Sequence, residues 1–266
     1  MENKAISNYK NKVITTADLL ETLQRIGITQ GDTLCIHTDI SSFGTPVILE
    51  KNLYLNAILE TLKCAVGSDG CIIMPTFTYS FCNNQEFNIQ DTPSKMGILT
   101  EHFRKQPGTE RTHDPIFSFA VFGRDRKQFL ETNDNCFGSQ SVFAKLHKQK
   151  AKLILLGSQV KGYTFFHYIE QCFDVPYRYF KTFTGTLVDG DKRYDASCVY
   201  YVRCLDRQSE PSISKIIELL RSTDNFNDIN FAYGSIVSID LTRFYDAVMK
   251  KLEQDVTSLL LNDSII

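Results

Sequence analysis

The chain has 266 residues, of which 42% are hydrophobic and 23% are charged, so it carries enough apolar side chains to bury a full core. We expect a single domain that covers residues 1–266. The formal net charge of -2 is distributed without a basic stripe or an acidic tail, and this argues against a protein that binds nucleic acid.

The sequence also predicts where the protein works. Its longest apolar runs, such as residues 153–156, have the length of a buried strand and fall far short of the roughly 20 residues of a membrane helix. The first residues, Met-Glu-Asn-Lys, lack the basic start and apolar stretch of a secretory signal. We therefore expect a cytoplasmic protein that makes no membrane contact.

Hydrophobic periodicity divides most of the chain into alternating helices and strands. The first helix has the clearest start, because Asp18 follows Thr15 by three residues as in a capping box, and Gly27 ends it. In chain order, the elements that follow are a strand at residues 33–38, a helix at 51–65, a strand at 71–74 that stops at Pro75, a helix at 94–104, a strand at 117–122, a helix at 142–147, a strand at 152–156 and a helix at 164–173.

The last third of the chain has a different pattern. Two apolar runs, at residues 182–188 and 196–204, flank an Asp189-Gly190 turn and predict an antiparallel hairpin. A helix after Pro211, a strand at residues 235–239 and an amphipathic helix at 241–261 follow. Alternating helices favour parallel strands and the hairpin requires antiparallel ones, so we expect an α/β fold, a three-layer α/β/α sandwich with a mixed central sheet.

The cysteines and histidines do not have the spacing of metal or disulfide sites. The eight cysteines are scattered, several of them inside apolar runs, and we expect them to be reduced. The five histidines, at positions 37, 102, 113, 147 and 167, lack metal-ligand spacing. We therefore expect no metal site.

His167 is the candidate for acid–base chemistry. It lies in Thr164-Phe-Phe-His-Tyr-Ile-Glu170, which opens a helix after the strand at residues 152–156, at a strand end where α/β proteins gather ligands. Glu170 is three residues further along the same helix face and can orient the imidazole. Spacing alone favours a buried structural histidine beside a surface glutamate, so both interpretations stay open at this point.

Motifs for nucleotide and serine-hydrolase chemistry are absent from the sequence. It contains no Gly-x-Gly-x-x-Gly after a strand, no Gly-Lys-Thr phosphate loop and no Gly-x-Ser-x-Gly elbow. What remains are hydroxyl-bearing loops at strand ends, which suit ligands rich in amides and hydroxyls. These loops are Ser41-Ser-Phe-Gly44, Thr76-Phe-Thr-Tyr-Ser80 and Ser139-Gln-Ser141.

In their order and spacing, these segments resemble the aminoglycoside 3-N-acetyltransferase family, whose fold is distinct from that of the GNAT acetyltransferases. The resemblance extends from Gly31-Asp-Thr-Leu-Cys-Ile-His-Thr-Asp-Ile-Ser-Ser-Phe-Gly44 to residues 234–246. Its most specific segments are Met74-Pro-Thr-Phe-Thr78, Thr92-Pro-Ser-Lys-Met-Gly97, Pro107-Gly108, Arg111-Thr-His-Asp-Pro115 with Ser118, Phe137-Gly-Ser and Thr164-Phe-Phe-His-Tyr-Ile-Glu170.

The resemblance implies direct transfer of an acyl group from coenzyme A to an amine on a sugar. By its match to the family's histidine motif, His167 takes the role of general base, and Glu170 that of an orienting or amine-binding acid. Imidazole suits removal of a proton from an ammonium group, because its ordinary pKa is about 6.5. The thioester oxyanion needs hydrogen-bond donors, and the candidates are Thr164, Ser41, Ser42 and Gly44.

The resemblance also implies which loops hold the pantetheine arm and the diphosphate of coenzyme A. One loop matches residues 37–44 and the other matches Pro-Ser-Lys-Met-Gly. The coenzyme-binding residues carried over are His37, Ser41, Ser42, Phe43, Gly44, Ser94, Lys95, Met96 and Gly97.

The acceptor side departs from the family's pattern. Many drug-modifying members have histidine before proline in an Arg-Ser-x-His-Pro motif, whereas here Asp114 precedes Pro115 and the histidine is His113. The run Val175-Pro-Tyr-Arg-Tyr-Phe-Lys181 fits either an ordinary strand edge or a site that stacks a base and pairs with a diphosphate. The acceptor residues expected are Thr76, Tyr79, Asp114, Tyr177, Arg178 and Lys181.

Two acceptors follow from the resemblance. The family includes enzymes that acylate nucleotide-linked 3-amino-deoxyhexoses for surface polysaccharides such as lipopolysaccharide, and the acceptor residues favour that branch, with an acetyl or a hydroxyacyl group. The alternative is acetylation of aminoglycoside antibiotics, which confers resistance. An inactive binding protein and a hydrolase that uses an ordered water are further alternatives. Small molecules are the expected partners, and a homodimer is a common assembly for such proteins.

Overall fold

The computed structural model describes residues 2–261 and is built around one large sheet with helices on both faces. The strands are β1 Ala5–Tyr9, β2 Lys12–Thr15, β3 Thr33–Thr38, β4 Thr45–Pro46, β5 Cys71–Pro75, β6 Phe87–Asn88, β7 Glu110–Arg111, β8 Phe119–Gly123, β9 Lys152–Leu156, β10 Arg178–Asp189, β11 Lys192–Arg203, β12 Asn227–Phe231 and β13 Gly234–Asp240. The helices are α1 Thr16–Arg25, α2 Lys51–Val66, α3 Ile98–Arg104, α4 Arg126–Leu130, α5 Val142–Lys148, α6 Phe165–Phe173, α7 Ile213–Ser222 and α8 Leu241–Gln254.

The large sheet has seven strands in the order β12-β13-β9-β3-β5-β8-β7. Its centre is parallel, because β3 pairs in parallel with both β5 and β9, while the outer pairs are antiparallel. His37 of β3 lies opposite Leu155 of β9 in this register. The carboxyl ends of β3, β5 and β9 therefore meet at one edge of the sheet, where ligands bind in α/β proteins.

Side chains of the central strands alternate between two apolar layers. Leu34 and Ile36 face a cluster that includes Leu19 of α1 and Leu55 of α2. Cys35 faces the opposite cluster, which holds side chains from α5, α6 and α8. This period of two along buried strands, with helices covering both faces, confirms the three-layer α/β/α sandwich and its mixed sheet.

Two small sheets flank the large one. β1 pairs with β2 and β4 near the amino terminus. The hairpin of β10 and β11 runs in register from the Arg178–Arg203 pair to the Asp189–Lys192 pair and also pairs with β6. The predicted hairpin is thus confirmed but is longer than expected at its open end, which places Arg178 beside α6.

Two predicted helix boundaries are wrong. The helix expected at residues 94–104 starts at Ile98, because Gly97 has φ 120 and residues 94–97 continue the loop from β6. The helix expected at residues 241–261 ends at Gln254, since Asp255 has extended backbone angles. The boundaries of β3 and β9, and the Thr15–Asp18 capping box of α1, are confirmed.

The part of the chain that the structure describes contains no helix long and apolar enough to cross a membrane. Within residues 2–261, no three or more side chains of the metal-binding types come together. All eight cysteines have free thiols.

Candidate active site

A cavity of about 370 Å³ opens at the carboxyl ends of β3, β5 and β9. Gly162 brings the loop after β9 close to β3, and its φ of +105 favours glycine. A Cβ atom at this position would lie 2.7 Å from Cγ of His37. The lining residues are His37, Thr38, Asp39, Pro75, Lys95, Met96, Gly97, Leu156, Ser158, Lys161 and Gly162.

His37 forms the floor of this first cavity and is only 8% exposed. Burial lowers the pKa of its imidazole to about 4, because a charged ring would lose its hydration. The ring packs edge-to-face against Phe77, with 6.4 Å between the ring centroids. His37 is therefore neutral at physiological pH and presents a polar but uncharged surface.

His167 stands on the first turn of α6 and belongs to a buried ionic cluster. Its Nδ1 lies 2.7 Å from Oε2 of Glu170, whose side chain is 0% exposed. Oε2 of Glu170 also lies 2.8 Å from Nε of Arg178, and Nη2 of Arg178 lies 2.9 Å from Nδ1 of His167. An ionised carboxylate only accepts hydrogen bonds and a guanidinium only donates them, so the two contacts of Nδ1 call for opposite tautomers. In the tautomer that donates from Nδ1 to Glu170, at the shorter of the two distances, Nε2 keeps its lone pair.

The surroundings of His167 keep the imidazole neutral. Burial and the Arg178 guanidinium lower its pKa, while the Glu170 carboxylate acts in the opposite direction. The ring is 25% exposed, and Nε2 has no hydrogen-bond partner among residues 2–261. A neutral imidazole with a free lone pair, oriented by a buried acid, is the arrangement of a general base.

A second cavity of about 390 Å³ opens beside His167 and the base of the β10–β11 hairpin. Its charged lining is mainly basic. Arg203 pairs with Glu210 at 3.0 Å, and Nζ of Lys181 lies 4.9 Å from the centroid of the Phe183 ring. The lining residues are His167, Arg178, Tyr179, Lys181, Phe183, Tyr200, Val202, Arg203, Leu205, Glu210 and Pro211.

Aromatic rings connect the two cavities. Phe77 contacts both His37 and Phe117, and the Phe77 and Phe117 centroids are 5.0 Å apart. Phe137 lies 5.0 Å from Phe117 and 5.9 Å from the His167 ring. These edge-on and tilted contacts hold the two histidines in one rigid apolar wall.

The structure separates the residues expected to bind the coenzyme. His37, Lys95, Met96 and Gly97 line the first cavity, but Ser41, Ser42, Phe43, Gly44 and Ser94 do not. Phe43 is fully buried against Phe231, and Ser42 Oγ donates to the carbonyl of Asp39. Gly44 packs on the backbone of Asn8. The ring of Phe43 therefore belongs to the core and does not line the first cavity.

Several residues expected on the acceptor side are also structural. Thr76, the residue after β5, is fully buried. Tyr177 is also buried, and its hydroxyl has no hydrogen-bond partner among the described residues. Arg178 lies at the site, but its guanidinium is occupied by Glu170 and His167 rather than free for a diphosphate.

Three further expected residues have distinct surroundings. Asp114 Oδ1 accepts from the backbone amides of Ile116 and Phe117, each at 2.8 Å, so it caps the turn before β8. Tyr79 is half-buried and packs on Phe117. Lys181 lines the second cavity.

Sequence reasoning missed the role of Arg178 beside the histidine and that of Gly162 above His37. The motif around His167 gives no sign of a cation eleven residues later, since only the hairpin returns Arg178 to α6. The sequence signal for this close approach is the glycine itself, Gly162, in the loop after β9.

A solved structure, described as the binary complex of AAC-IIIb with CoASH, has a TM-score of 0.78 and 19% sequence identity to the chain. It covers 90% of this chain and 96% of that one. The likeness establishes a shared fold. The structure of AAC(3)-Xa, an aminoglycoside acetyltransferase, gives a TM-score of 0.79 with 17% identity, covering 92% and 94% of the two chains.

Similarity is also found in sequence. An SPbeta prophage-derived aminoglycoside N(3')-acetyltransferase-like protein of Bacillus subtilis (strain 168) is 26% identical over 188 residues, which are 62% of this chain and 66% of that protein. The matched segment thus spans slightly less than two thirds of that relative. Residues 35–253 match the profile of the family described as aminoglycoside 3-N-acetyltransferase.

Proposed function

Because the chain belongs to the aminoglycoside 3-N-acetyltransferase family, we propose that it transfers an acyl group from coenzyme A to an amino group of an aminoglycoside or a related amino sugar. The observation that carries this proposal is the hydrogen bond of 2.7 Å between Nδ1 of His167 and Glu170. The proposal takes the tautomer in which Nδ1 donates to Glu170, and in that tautomer Nε2 is a free base beside a cavity.

His167 acts as the general base in this proposal. Nε2 removes the proton that the acceptor amine loses as it attacks the thioester carbonyl, and the Glu170 carboxylate stabilises the imidazolium that forms. The imidazolium then returns the proton to the departing thiolate. Thr164, half-buried at the start of α6, is our candidate to donate a hydrogen bond to the oxyanion.

The first cavity is the proposed site of the acyl-CoA. Met96 and Leu156 offer apolar surface to a pantetheine arm, and Lys95 offers positive charge to a diphosphate. Lys161 lines the same cavity but pairs with Asp39 at 3.2 Å. The second cavity, beside His167, is then left for the acceptor. The solved relative with CoASH supports an acyl-CoA donor.

Aminoglycoside antibiotics are the first acceptor class to test, because the relatives found by sequence are named as aminoglycoside acetyltransferases. One is the aminoglycoside N(3)-acetyltransferase IV of Salmonella sp, which is 27% identical over 165 residues, or 60% of each chain. For this acceptor the activity would confer resistance.

A nucleotide-linked 3-amino sugar is the second candidate, and the charge of the second cavity favours it. Arg178, Lys181 and Arg203 line this cavity, and the one carboxylate in the lining, Glu210, is paired with Arg203. A polycationic drug would be better served by several carboxylates, whereas a diphosphate is attracted by Lys181. No comparison favours this acceptor, and its support comes from the cations alone.

An acceptor panel tests the proposal. The purified protein is incubated with acetyl-CoA and either a kanamycin-type drug, a nucleotide-linked 3-amino-deoxyhexose or no acceptor, and thiol release is followed. We expect release that depends on an amine acceptor. Equal release without any acceptor would favour a hydrolase, and no release with any acceptor would favour an inactive binding protein.

Substitution of Lys181 tests how charge selects the acceptor. Lys181→Glu should raise kcat/KM for the polycationic drug and lower it for the nucleotide-linked sugar. Lys192→Glu, at the far end of the same hairpin, is the matched control and should change neither. A Lys181→Glu profile identical to that of the unmodified protein would remove the charge argument for the second acceptor.

A further inference from the structure

Residues 89–97 form an irregular segment between β6 and α3 that supplies one wall of the first cavity. Lys95, Met96 and Gly97 line that cavity, and the other side of the segment faces a neighbouring cavity of about 450 Å³. Backbone carbonyls hold the amides of Ile89, Thr92 and Lys95. The carbonyl groups of the segment are held differently, by charged side chains.

Arg111 of β7 holds two of these carbonyl groups. Its Nη1 donates to the carbonyl oxygens of Ile89 at 3.2 Å and Thr92 at 2.6 Å. Nη2 donates to the carbonyl of Thr76 at 2.8 Å, and Nε donates to the hydroxyls of Thr76 and Ser118. Arg111 thus links the segment to Thr76, immediately after β5, and to Ser118, immediately before β8.

A second cation and an acid complete the attachment. Arg104 donates to the carbonyl of Gln90 and pairs with Glu101 at 2.6 Å. Oε2 of Glu101 accepts a hydrogen bond of 2.9 Å from the amide of Ser94. The carbonyls of residues 89, 90 and 92 and the amide of residue 94 are therefore all fixed by three side chains.

Arg111 is buried and forms no ion pair with an acid of residues 2–261. It is 7% exposed, and its hydrogen bonds all end on neutral oxygens. Glu101, the acid whose charge acts on Arg111, pairs with Arg104 and Lys105. Burial lowers the pKa of Arg111 to about 9, with a further contribution from Arg104, and the guanidinium stays charged at neutral pH. Burial of a cation costs free energy. Here the planar guanidinium makes hydrogen bonds to the segment and to residues 76 and 118.

We propose that Arg111 is a positioning residue for the acyl-CoA donor: it fixes residues 89–92 so that Lys95, Met96 and Gly97 keep the shape and charge of the coenzyme wall. This inference rests on the proposed function. It places Arg111 on the donor side, whereas the departure at Asp114 in the same motif, Arg111-Thr-His-Asp-Pro115, concerns the acceptor side.

The test is Arg111→Lys, measured by calorimetric titration with coenzyme A and by steady-state kinetics. Lysine keeps the charge but lacks the planar fork that reaches Ile89, Thr92 and Thr76 together. We expect the Kd for coenzyme A and the KM for acetyl-CoA to rise about tenfold, the effect of losing one or two net hydrogen bonds. The kcat and the KM for the acceptor should stay within about twofold.

Arg124→Lys is the matched control. Arg124 is a surface residue, 66% exposed and paired with Asp69, and its replacement should leave all four quantities unchanged. If Arg111→Lys does not fold, Glu101→Gln is the second test. Glu101 is partly exposed, and the neutral amide of glutamine binds Arg104 and the backbone amide of Ser94 more weakly than the carboxylate does. The same rise in Kd and KM for the donor is expected.

A folded Arg111→Lys protein that binds coenzyme A within twofold of the unmodified protein would overturn the inference. An equal rise in the acceptor KM would also overturn it, because equal effects on donor and acceptor indicate a general loss of structure and not a role on the donor side. An unmodified protein that does not bind coenzyme A would instead refute the proposed function at an earlier step, and the inference with it.

Discussion

Replacement of Glu170 by Gln tests the ionic cluster that orients His167. The substitution keeps the side-chain shape but removes the negative charge that stabilises an imidazolium at Nδ1, 2.7 Å away. Unit charges about 4 Å apart interact by about 4 kcal/mol at an effective dielectric constant of about 20. The imidazole is 25% exposed, so we halve this to about 2 kcal/mol, which corresponds to about a 30-fold decrease in kcat.

The assay is thiol release from acetyl-CoA with the best acceptor of the panel, over a range of pH. Loss of the carboxylate lowers the pKa of His167 further, because Glu170 favours the charged ring. The acid limb of the kcat profile should therefore move to lower pH while the plateau falls. A Glu170→Gln plateau within threefold of the unmodified protein, with coenzyme A binding unchanged, would refute the role assigned to the acid.

Three further substitutions probe other parts of the molecule. Arg178→Gln removes the cation that lowers the pKa of His167, so the acid limb of the kcat profile should move to higher pH; an unmoved limb would contradict this electrostatic role. Gly162→Ala places a Cβ 2.7 Å from His37 at a φ of +105, and we expect a loss of about 1–3 kcal/mol in denaturant unfolding and weaker coenzyme A binding. Gly190→Ala is the control for backbone strain, because Gly190 also has a positive φ, +57, but no atom lies within 4 Å of the added carbon; it should leave coenzyme A binding unchanged. Thr15→Ala removes the N-cap of α1 and should lower Tm by about 2–4 °C without changing kcat; an altered kcat would indicate that α1 contributes to the site.

The core of the fold can be predicted from the sequence because its signals are local. Residues 152–156 are an apolar run and residues 33–38 follow the turn residues Gly31 and Asp32, and the structure has strands with these boundaries. The short strands β4, β6 and β7, of two residues each, could not be found this way. Two residues carry no periodicity, and β4 and β6 also depend on partners distant in the sequence.

The candidate site also has some members that local patterns predict and others that they do not. The spacing of His167 and Glu170 predicts a shared helix face, and the structure brings them together. The third member, Arg178, is placed by the open end of the β10–β11 hairpin, which extends beyond the apolar run at residues 182–188 that predicts the strand. Phe43 was carried over with a loop motif, but its burial is decided by packing against Phe231, a contact across most of the chain.

The most direct test of the account is acceptor-dependent thiol release by His167→Ala compared with the unmodified protein. Both proteins must bind coenzyme A with similar Kd, so that a difference reports on the chemical step. We expect kcat to fall by about 10² or more, since general base catalysis is lost. A His167→Ala protein that keeps more than a tenth of the turnover would contradict the assignment of His167 as the base.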